Sequence, residues 1–565
     1  MSRFNLLDEN WIGVIYLDES ENKLVSLKTL FEDAHKIQRI AGDTKTQDFA
    51  ILRILLAILN TVYSRFDAEG NAYEYLDLDE KFQEKSEVEF DDLPYYINDL
   101  DACWDNLWKK KHFPSTVNDY LTKWHDRFYL FDDEYPFFQV LAGDLSADKI
   151  SRKKASAISG KFLDRTVSES GNKVALFSPK YNAKYNKEVL RADQVARWLI
   201  TYQGYTGLSD KTIFGKEKYK ASKGWLYDLG GIYLEGTNLF ETLLLNTILV
   251  HPRDEFSAKR QRPCWEYSSG ELLEKYFSNN NPDNLAELYT TWSRAVYIDP
   301  DTDLDKAFSL QVVKLPDMNH QDQFIEAMTL WRFNEQGEHK GYFTPRKHRA
   351  NQALWRSFGL LAMPSSTSEK DMQHMPELIN WLEEIRDTIG NISIGVQAVS
   401  MQDDGNAPSW VPTDELVDSL QINNYVLTDV QENHWVPRIT NLVEKTRVVI
   451  NHTYRAFLSD IAEIRNIKEK ARQDFINREL EAVYFAIDEP FRAWLAGIKP
   501  KDEKDKKMQI WLNILEKIVK GEAQRLIDNA TTRDLRGIVK DERSFNIITA
   551  YNSFTFFLNK GIQNK

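Results

Sequence analysis

The sequence predicts an α+β protein, with a large mixed N-terminal domain of small sheets and many loops followed by a C-terminal four-helix bundle. The chain has 565 residues, too many for one hydrophobic core. Hydrophobic residues make up 42% of it and it contains fifteen tryptophans, which is typical of well-filled cores. Beyond about residue 420, apolar residues recur every three or four positions. We therefore predict domains over residues 1–420 and 421–565.

The N-terminal elements follow from local patterns. Runs of β-branched and aromatic residues predict small strands at residues 11–16 and around Val25. Thr44 and Thr46 can cap a helix whose apolar positions extend to Val62, and its wide stripe predicts burial on most sides. The later elements predicted in the same way are helices over 192–203 and 239–249, a strand at 232–234, and extended segments at 327–333 and 393–399.

Two stretches in this domain lack periodicity. Residues 151–187 are rich in Ser, Lys, Asn and Gly, and residues 278–322 are loose and acidic. We predict loops in both, and a domain boundary near 410–430, where prolines and polar residues cluster.

The C-terminal region contains four amphipathic stripes, at residues 435–464, 480–498, 511–527 and 545–554. Short polar links join them, which favours a four-helix bundle. Pro490 is expected to kink or restart the second helix, because proline lacks the N–H that a helix interior needs.

Charge and cysteine content limit the function. The net charge of −14 argues against a free-standing DNA-binding domain. DNA binding would then need local basic loops on an acidic body, or strongly basic partner subunits beside this chain. Cys103 and Cys264 stand alone, so we expect no disulfide scaffold, no zinc ribbon and a cytoplasmic location. The longest apolar run, near residues 51–59, is short of the roughly twenty residues of a membrane span, and no signal peptide is predicted.

Catalytic signatures are missing from the sequence. It has no HExxH, GxSxG or GxxxxGK[ST] motif, and its ten histidines do not fall at ligand spacing. Pairs of carboxylates such as Asp403 and Asp404 are expected by chance among 86 acidic residues. We therefore predict no enzyme activity, no metal and no cofactor.

A basic loop at residues 211–225 stands out in this acidic chain. It carries five lysines between residues 211 and 223, with Gly215 inside that stretch and Gly224 directly after it. Lysine side chains reach phosphates, and glycine lets backbone approach a duplex, although a solvated surface loop has the same composition. Two further basic segments occur at 346–349 and at 152–154, the latter with Lys161 and Arg165.

Several aromatic and glycine-containing blocks carry a family resemblance. They lie at residues 4–12, 127–131, 136–139, 230–236, 239–246, 262–266 and 292–294. Together, and in this order, they resemble the large subunit (CasA family) of the type I-E CRISPR surveillance complex, Cascade. The resemblance extends over essentially the whole chain, including the C-terminal bundle.

The resemblance implies a non-catalytic role and a set of partners. Such a subunit sits near the 5′ handle of the guide RNA beside the other Cascade subunits. It inspects double-stranded target DNA for the protospacer-adjacent motif, helps to open the duplex and recruits the helicase–nuclease. No membrane partner is implied.

The resemblance also implies site residues. A loop facing the RNA handle corresponds to residues 170–177, and a wedge hairpin corresponds to 401–407. The implied handle-loop residues are Gly171, Asn172 and Phe177, and the implied DNA-binding residues are Lys216, Lys218, Lys220, Lys223, Gly224, Arg332, Gln402 and Asn406. Where other family members have a strip denser in glycine, this chain has lysines. The resemblance therefore does not identify which protospacer-adjacent motif is recognised.

Two alternatives remain. The first is a stand-alone helical nuclease or hydrolase that uses some of the carboxylates. The second is a structural scaffold without DNA contact, which the charge of −14 favours.

Overall fold

The computed structural model describes residues 3–164, 188–208, 210–278, 281–368, 371–405, 410–540 and 542–563. Within these ranges, helices and short strands are interspersed through the first three quarters of the chain, and long helices dominate the rest. No sheet among the described residues has more than three strands. The predicted α+β class with small sheets and a C-terminal helical region is confirmed.

The strands are short except for one hairpin. In chain order they are β1 Ile12–Tyr16, β2 Asn22–Val25, β3 Ile37–Ile40, β4 Ser156–Ser159, β5 Gly231–Glu235, β6 Arg294–Tyr297, β7 Ser309–Lys314, β8 Trp331–Phe333, β9 Phe343–Pro345, β10 Ser366–Ser368, β11 Asp371–Gln373, β12 Ser393–Asp403, β13 Pro412–Asn423, β14 Ile538–Lys540 and β15 Arg543–Phe545. The three-stranded sheets have the orders β2-β1-β3, β4-β7-β6 and β13-β12-β5, and the others are two-stranded.

The α-helices range from one turn to 28 residues. They are α1 Leu27–Asp33, α2 Lys45–Tyr63, α3 Leu93–Lys110, α4 Thr116–Lys123, α5 Gly160–Leu163, α6 Ala192–Tyr205, α7 Leu239–Asn246, α8 Ser269–Phe277, α9 Leu285–Tyr289, α10 Phe358–Ala362, α11 Glu377–Glu384, α12 Arg386–Ile389, α13 Asn424–Thr428, α14 Trp435–Val448, α15 Arg455–Ile464, α16 Glu469–Ala496, α17 Lys504–Asp528, α18 Thr532–Arg536 and α19 Ile547–Gln563. A π-helical turn, Val449–Tyr454, continues α14 into α15.

The chain divides into two compact units. Unit 1 consists of Met1–His348, Pro376–Gly390 and Gly395–Asp418. Unit 2 consists of Arg349–Met375, Asn391–Ile394 and Ser419–Lys565, so a segment distant in sequence joins the C-terminal helices.

Helix α2 forms the centre of unit 1. Its N-cap is Thr44, whose hydroxyl accepts a hydrogen bond from the Gln47 amide at 3.2 Å, as the sequence predicted. Every residue from Thr46 to Tyr63 is buried, because the helix is apolar on most sides. Among the described residues it is the one helix long and apolar enough to cross a membrane, yet all of it is covered by protein.

A buried ion pair crosses the core of unit 1. Arg53 on α2 donates to both carboxylate oxygens of Glu326, at 2.9 and 2.8 Å. The indole N–H of Trp225 also donates to Glu326, at 2.5 Å. The Arg53 charge and these hydrogen bonds outweigh the effect of burial and hold the pKa of Glu326 below its ordinary value. The pair thereby fixes the end of the basic loop to the central helix.

Unit 2 contains the predicted four-helix arrangement. The helix formed by α14 and α15 packs on α16 and α19, and α17 packs on the same two neighbours, which closes a ring of four. Trp511, Phe491 and Phe457 are buried between these helices. Helix α16 continues through Pro490 as one element, so the predicted restart does not occur.

Both predicted loops contain regular structure. Within 278–322 the chain forms α9, β6 and β7, and Val296 and Leu310 are buried. Within 151–187, residues 156–163 form β4 and α5, and 165–187 lie outside the described residues. For 156–163 and for 278–322 the prediction was wrong, because β7 pairs with two distant strands, and such pairing stabilises segments that lack a periodic pattern of their own. For 165–187 it stays a prediction. The extended segment at 327–333 contains only the three residues of β8.

Candidate nucleic-acid interface

The basic loop, residues 211–225, is held at its base by a buried arginine. Arg294 on β6 pairs with Asp210 through two hydrogen bonds, at 3.1 and 3.0 Å. The same guanidinium donates to the carbonyls of Gly207 and Ser222, each at 2.6 Å. One planar group therefore fixes both sides of the loop, which is the geometry that arginine provides and lysine does not.

The middle of the loop is also held by backbone contacts. The Ser222 amide donates to the Leu315 carbonyl at 3.0 Å, and the Asp317 amide donates to the Lys220 carbonyl at 2.8 Å. The Tyr219 hydroxyl donates to the Lys314 carbonyl at 2.5 Å and accepts from the Phe214 amide at 3.0 Å. These contacts give the middle of the loop a defined shape.

The four predicted lysines of the loop differ in their surroundings. Lys216 and Lys218 are exposed, and neither has an ion-pair partner within the part of the chain that the structure describes. Lys220 is 70% exposed and pairs with Asp317 at 3.0 Å. Partial burial lowers the pKa of Lys220, but Asp317 outweighs it and raises the pKa above its ordinary value. Lys223 is mostly buried and pairs with Asp228 at 2.8 Å.

The two glycines of the loop also differ. Gly215 has a φ of +61° and open space around it. Gly224 has a φ of +93° and is buried, and a Cβ there would lie 2.4 Å from the Gly204 carbonyl oxygen. Because Gly224 is buried in this chain, its predicted contact with DNA stays a prediction. This glycine allows close packing inside the protein, because an added side chain would overlap backbone.

A second basic segment lies beside the loop. Ile150 forms a β-bridge with Phe214, and the Gly215 amide donates to the Lys149 carbonyl at 2.8 Å. The exposed residues 152–154, Arg-Lys-Lys, follow directly. The tertiary structure thus brings together two basic segments about sixty residues apart in sequence.

Lys347, from a third basic segment, lies beside the C-terminal end of the basic loop. Its ammonium group lies 3.2 Å from Asp403 and 3.8 Å from Asp228, and it stacks over the Tyr227 ring at 4.2 Å. Burial lowers the pKa of Lys347, an effect that the two carboxylates only partly offset. Because Lys223 pairs with the same Asp228, the two lysines share one carboxylate.

Of the predicted wedge region, residues 401–403 form the end of β12, residues 404–405 follow that strand, and residues 406–407 lie outside the described residues. Gln402 is exposed near the end of β12. Asp404 exchanges two hydrogen bonds with Val411, at 3.0 and 3.2 Å, which closes the base of the turn. Asn406 lies outside the described residues.

A hydrogen bond joins the hairpin of β12 and β13 to the basic loop region. The Tyr227 hydroxyl donates to the Trp410 carbonyl at 2.7 Å. Lys223 lies 5.4 Å from the centroid of the Trp410 ring. Two of the segments predicted to contact DNA are therefore neighbours in the fold.

Arg332 lies on β8, opposite Thr344 of β9. It is exposed, and within the described ranges it has no ion-pair partner. The small sheet of β8 and β9 continues toward Lys347, because the Arg346 amide donates to the Leu330 carbonyl at 2.8 Å. Gly171, Asn172 and Phe177 lie outside the described residues.

The sequence did not single out Asp228, Tyr227 or Arg294 as residues that position the site. The first two follow the basic loop directly, but nothing in their local pattern distinguishes them from ordinary surface residues. Across the described ranges, no three His, Cys, Asp or Glu side chains are grouped as metal ligands.

Comparison with known proteins places this chain, with its mixed fold and helical unit, among the CRISPR-associated proteins. The chain belongs to the Cse1 family: the sequence model of "CRISPR-associated protein Cse1" matches residues 5–521. Cse1 is also named CasA, so the family predicted from the sequence is confirmed.

Individual relatives agree with this assignment. The CasA/Cse1 protein of Thermus thermophilus is 27% identical over 274 residues, which is 47% of this chain and 42% of that protein. The matched stretch thus spans less than half of that relative. Thermobifida fusca Cse1 has a TM-score of 0.76 at 22% identity, covering 99% of this chain and 98% of that one. A chain of a "CRISPR RNA-guided surveillance complex" has a TM-score of 0.66 at 14% identity, covering 98% and 99%. These likenesses show the fold.

Proposed function

We propose that this protein is the non-catalytic large subunit of a type I-E Cascade complex and contacts double-stranded target DNA through its basic loop. Membership of the Cse1 family and the likeness to a chain of a surveillance complex support the assembly. Its partners are then the other Cascade subunits and the guide RNA, in the cytoplasm. The complex recognises the protospacer-adjacent motif, opens the duplex and recruits the helicase–nuclease.

The observation that carries the DNA contact is the shaped basic loop with Lys216 and Lys218 at its surface. Their ammonium groups have no carboxylate to displace among the described residues, so binding a phosphate releases counterions without breaking an internal pair. Residues 152–154 add three cations beside them. A local basic surface on a chain of net charge −14 suits a subunit that touches a short length of duplex.

The hairpin of β12 and β13 supports the second step, duplex opening. The Tyr227 hydroxyl, shortly after the basic loop, donates to the Trp410 carbonyl shortly before β13, so a hairpin element that enters the duplex would act beside the element that holds the phosphates. Asp403 is paired with Lys347, which reduces the repulsion that a carboxylate near phosphate would otherwise cause. Arg332 and Gln402 are exposed and thus available to reach a groove.

The test measures duplex binding by the assembled complex over a range of salt concentrations. Lys216→Ala/Lys218→Ala should weaken binding and reduce the slope of log affinity against log salt by up to about two, one for each lost phosphate contact. The control is Lys85→Ala/Lys306→Ala, which removes the same charge from exposed lysines outside the loop.

Three outcomes would contradict the proposal. An unchanged slope, or equal slopes for both double variants, would remove the loop from the DNA contact. Binding that persists when this subunit is left out would favour the scaffold alternative. Cleavage of DNA by the purified chain with a divalent metal would favour the nuclease alternative.

A further inference from the structure

Three aromatic rings meet in the first half of the basic loop. Phe214 and Tyr219 of the loop each lie against Phe277, the last residue of α8, with ring centroids 5.6 Å apart in both pairs. Both contacts are edge-to-face, at interplanar angles of 84° and 85°. Such contacts are favourable between aromatic rings, so they draw the two ends of the stretch 214–219 together. These three residues form the aromatic cluster.

The aromatic cluster is held in place but is not covered. Phe277 is 42% exposed although its side chain is large and apolar, and Phe214 and Tyr219 are half-buried. The Tyr219 hydroxyl is fixed between the Lys314 carbonyl, at 2.5 Å, and the Phe214 amide, at 3.0 Å. Single exposed aromatic side chains are common on protein surfaces. A fixed group of three rings with part of its surface open is instead the kind of platform on which nucleic-acid bases stack.

Exposed cations accompany the aromatic cluster. Lys216 and Lys218 lie between the two rings of the loop in the sequence, and both are exposed. Phe214 also forms a β-bridge with Ile150, which places the exposed residues 152–154, Arg-Lys-Lys, nearby. Proteins that bind single-stranded nucleic acid combine these two features, a basic surface for the phosphates and aromatic rings for the bases.

The backbone between the two loop rings leaves room for a ligand. Gly215 has a φ of +61° and open space around it. Lys216 is only two residues from Phe214, and consecutive Cα atoms are about 3.8 Å apart, so a ring and a cation can contact the base and the phosphate of one strand. Glu217 is the one carboxylate among residues 211–225, so the five lysines of the loop outweigh its repulsion.

The form of DNA that fits this arrangement is an unpaired strand. Bases in a duplex are paired and stacked on one another, whereas bases in a single strand offer an open face to an aromatic ring. Resting on the proposed function, which brings DNA to this loop, we infer that the aromatic cluster is a stacking site for unpaired bases of single-stranded DNA. The lysines at 216 and 218 then contact the phosphates of either form of DNA, and the rings contact only the single strand.

The test compares two single strands on the purified full-length chain. One is a run of about twelve deoxythymidines, and the other has the same length and phosphates but carries no bases. The unchanged protein should bind the deoxythymidine strand about tenfold more tightly, the effect of about one stacked base. Phe277→Leu keeps an apolar side chain but removes the ring. It should abolish this preference and change binding of the strand without bases by less than about twofold.

Two controls separate stacking from charge and from general exposure. Phe90→Leu changes an 86% exposed phenylalanine outside the loop and should keep the full preference for bases. Lys216→Ala/Lys218→Ala should weaken binding of both strands alike and leave their ratio unchanged. As a measurement that needs no variant, a strand carrying 5-iodouracil should crosslink under light to a residue of the aromatic cluster. Crosslinks found only at other residues would show that the bases lie elsewhere.

The possible results decide between this inference and the function on which it rests. Equal binding of the two strands by the unchanged protein would overturn the stacking site. Equal weakening of both strands by Phe277→Leu would show that the ring only shapes the loop. A strand of ribonucleotides that binds more tightly than the deoxythymidine strand would make the occupant RNA and the assignment to DNA wrong. In all three cases the proposed function stands if Lys216→Ala/Lys218→Ala lowers the salt dependence of duplex binding by the assembled complex, and it fails if that variant has no effect there.

Discussion

At the scale of single residues, the two glycines of the basic loop show why one residue type serves two purposes. Gly215 has a positive φ and open space around it. A side chain would therefore fit there, and only the left-handed backbone conformation disfavours one. Gly224 has a positive φ and lies against the Gly204 carbonyl. The sequence presents both as loop glycines, and only the packing distinguishes them.

These surroundings predict unequal costs of substitution. Gly215→Ala should lower the free energy of unfolding by about 1 kcal/mol, the cost of a left-handed backbone with a Cβ. Gly224→Ala should cost about 2–4 kcal/mol, because the Cβ also overlaps backbone that cannot move freely. Chemical denaturation of the two variants measures this, and equal losses would show that Gly224 is not closely packed in solution.

At the scale of elements, helix α2 depends on more than its apolar stripe. Arg53 is fully buried on it and is neutralised by Glu326, a residue 273 positions later. Burying such a pair costs desolvation that the attraction of the two charges must offset. The helix therefore tolerates its arginine only when the whole of unit 1 has folded around it.

We expect Arg53→Met to destabilise the protein by about 3–5 kcal/mol, since it leaves the Glu326 carboxylate buried and unpaired. Arg53→Met/Glu326→Gln should recover most of this loss, because no uncompensated charge remains. Thermal unfolding followed by far-UV circular dichroism measures both. A double variant as unstable as the single one would mean that the volume of the arginine, and not its charge, supports the core.

At the scale of the whole molecule, unit 2 is assembled from separate parts of the chain. Trp355, in the segment Arg349–Met375, stacks on Phe491 with ring centroids 4.3 Å apart. Its indole N–H donates to Asp488 at 2.8 Å. The helical unit thus takes a core residue from about eighty positions before its first long helix begins.

Trp355→Ala should therefore destabilise unit 2 by about 3–5 kcal/mol, as removal of a fully buried tryptophan does. Faster hydrogen exchange confined to Arg349–Met375 and Ser419–Lys565 would show the effect. The control is Phe485→Ala, at a side chain that is 87% exposed, which should change stability by less than about 0.5 kcal/mol. An equal loss of protection throughout unit 1 would show that the two units unfold as one.

The elements that the sequence predicted well are those whose capping residues and apolar pattern lie close together in the chain. The Thr44 cap, the wide stripe of α2 and the repeating stripes of unit 2 are periodic over many residues, so a helix is the only arrangement that buries them. The family blocks, taken in order, identified the family, because their combination is specific even though each block is modest.

The tertiary structure alone decided which side chains form the candidate site. Lys223, Lys347 and Asp403 are separated by more than fifty residues each, and nothing local marks them as partners. Arg294 holds a loop whose residues lie about seventy to ninety positions earlier, and strand β7 exists because β4 and β6 lie beside it. Local propensity and periodicity act over a few residues, whereas ion pairs and strand pairing depend on distances that only the folded chain sets.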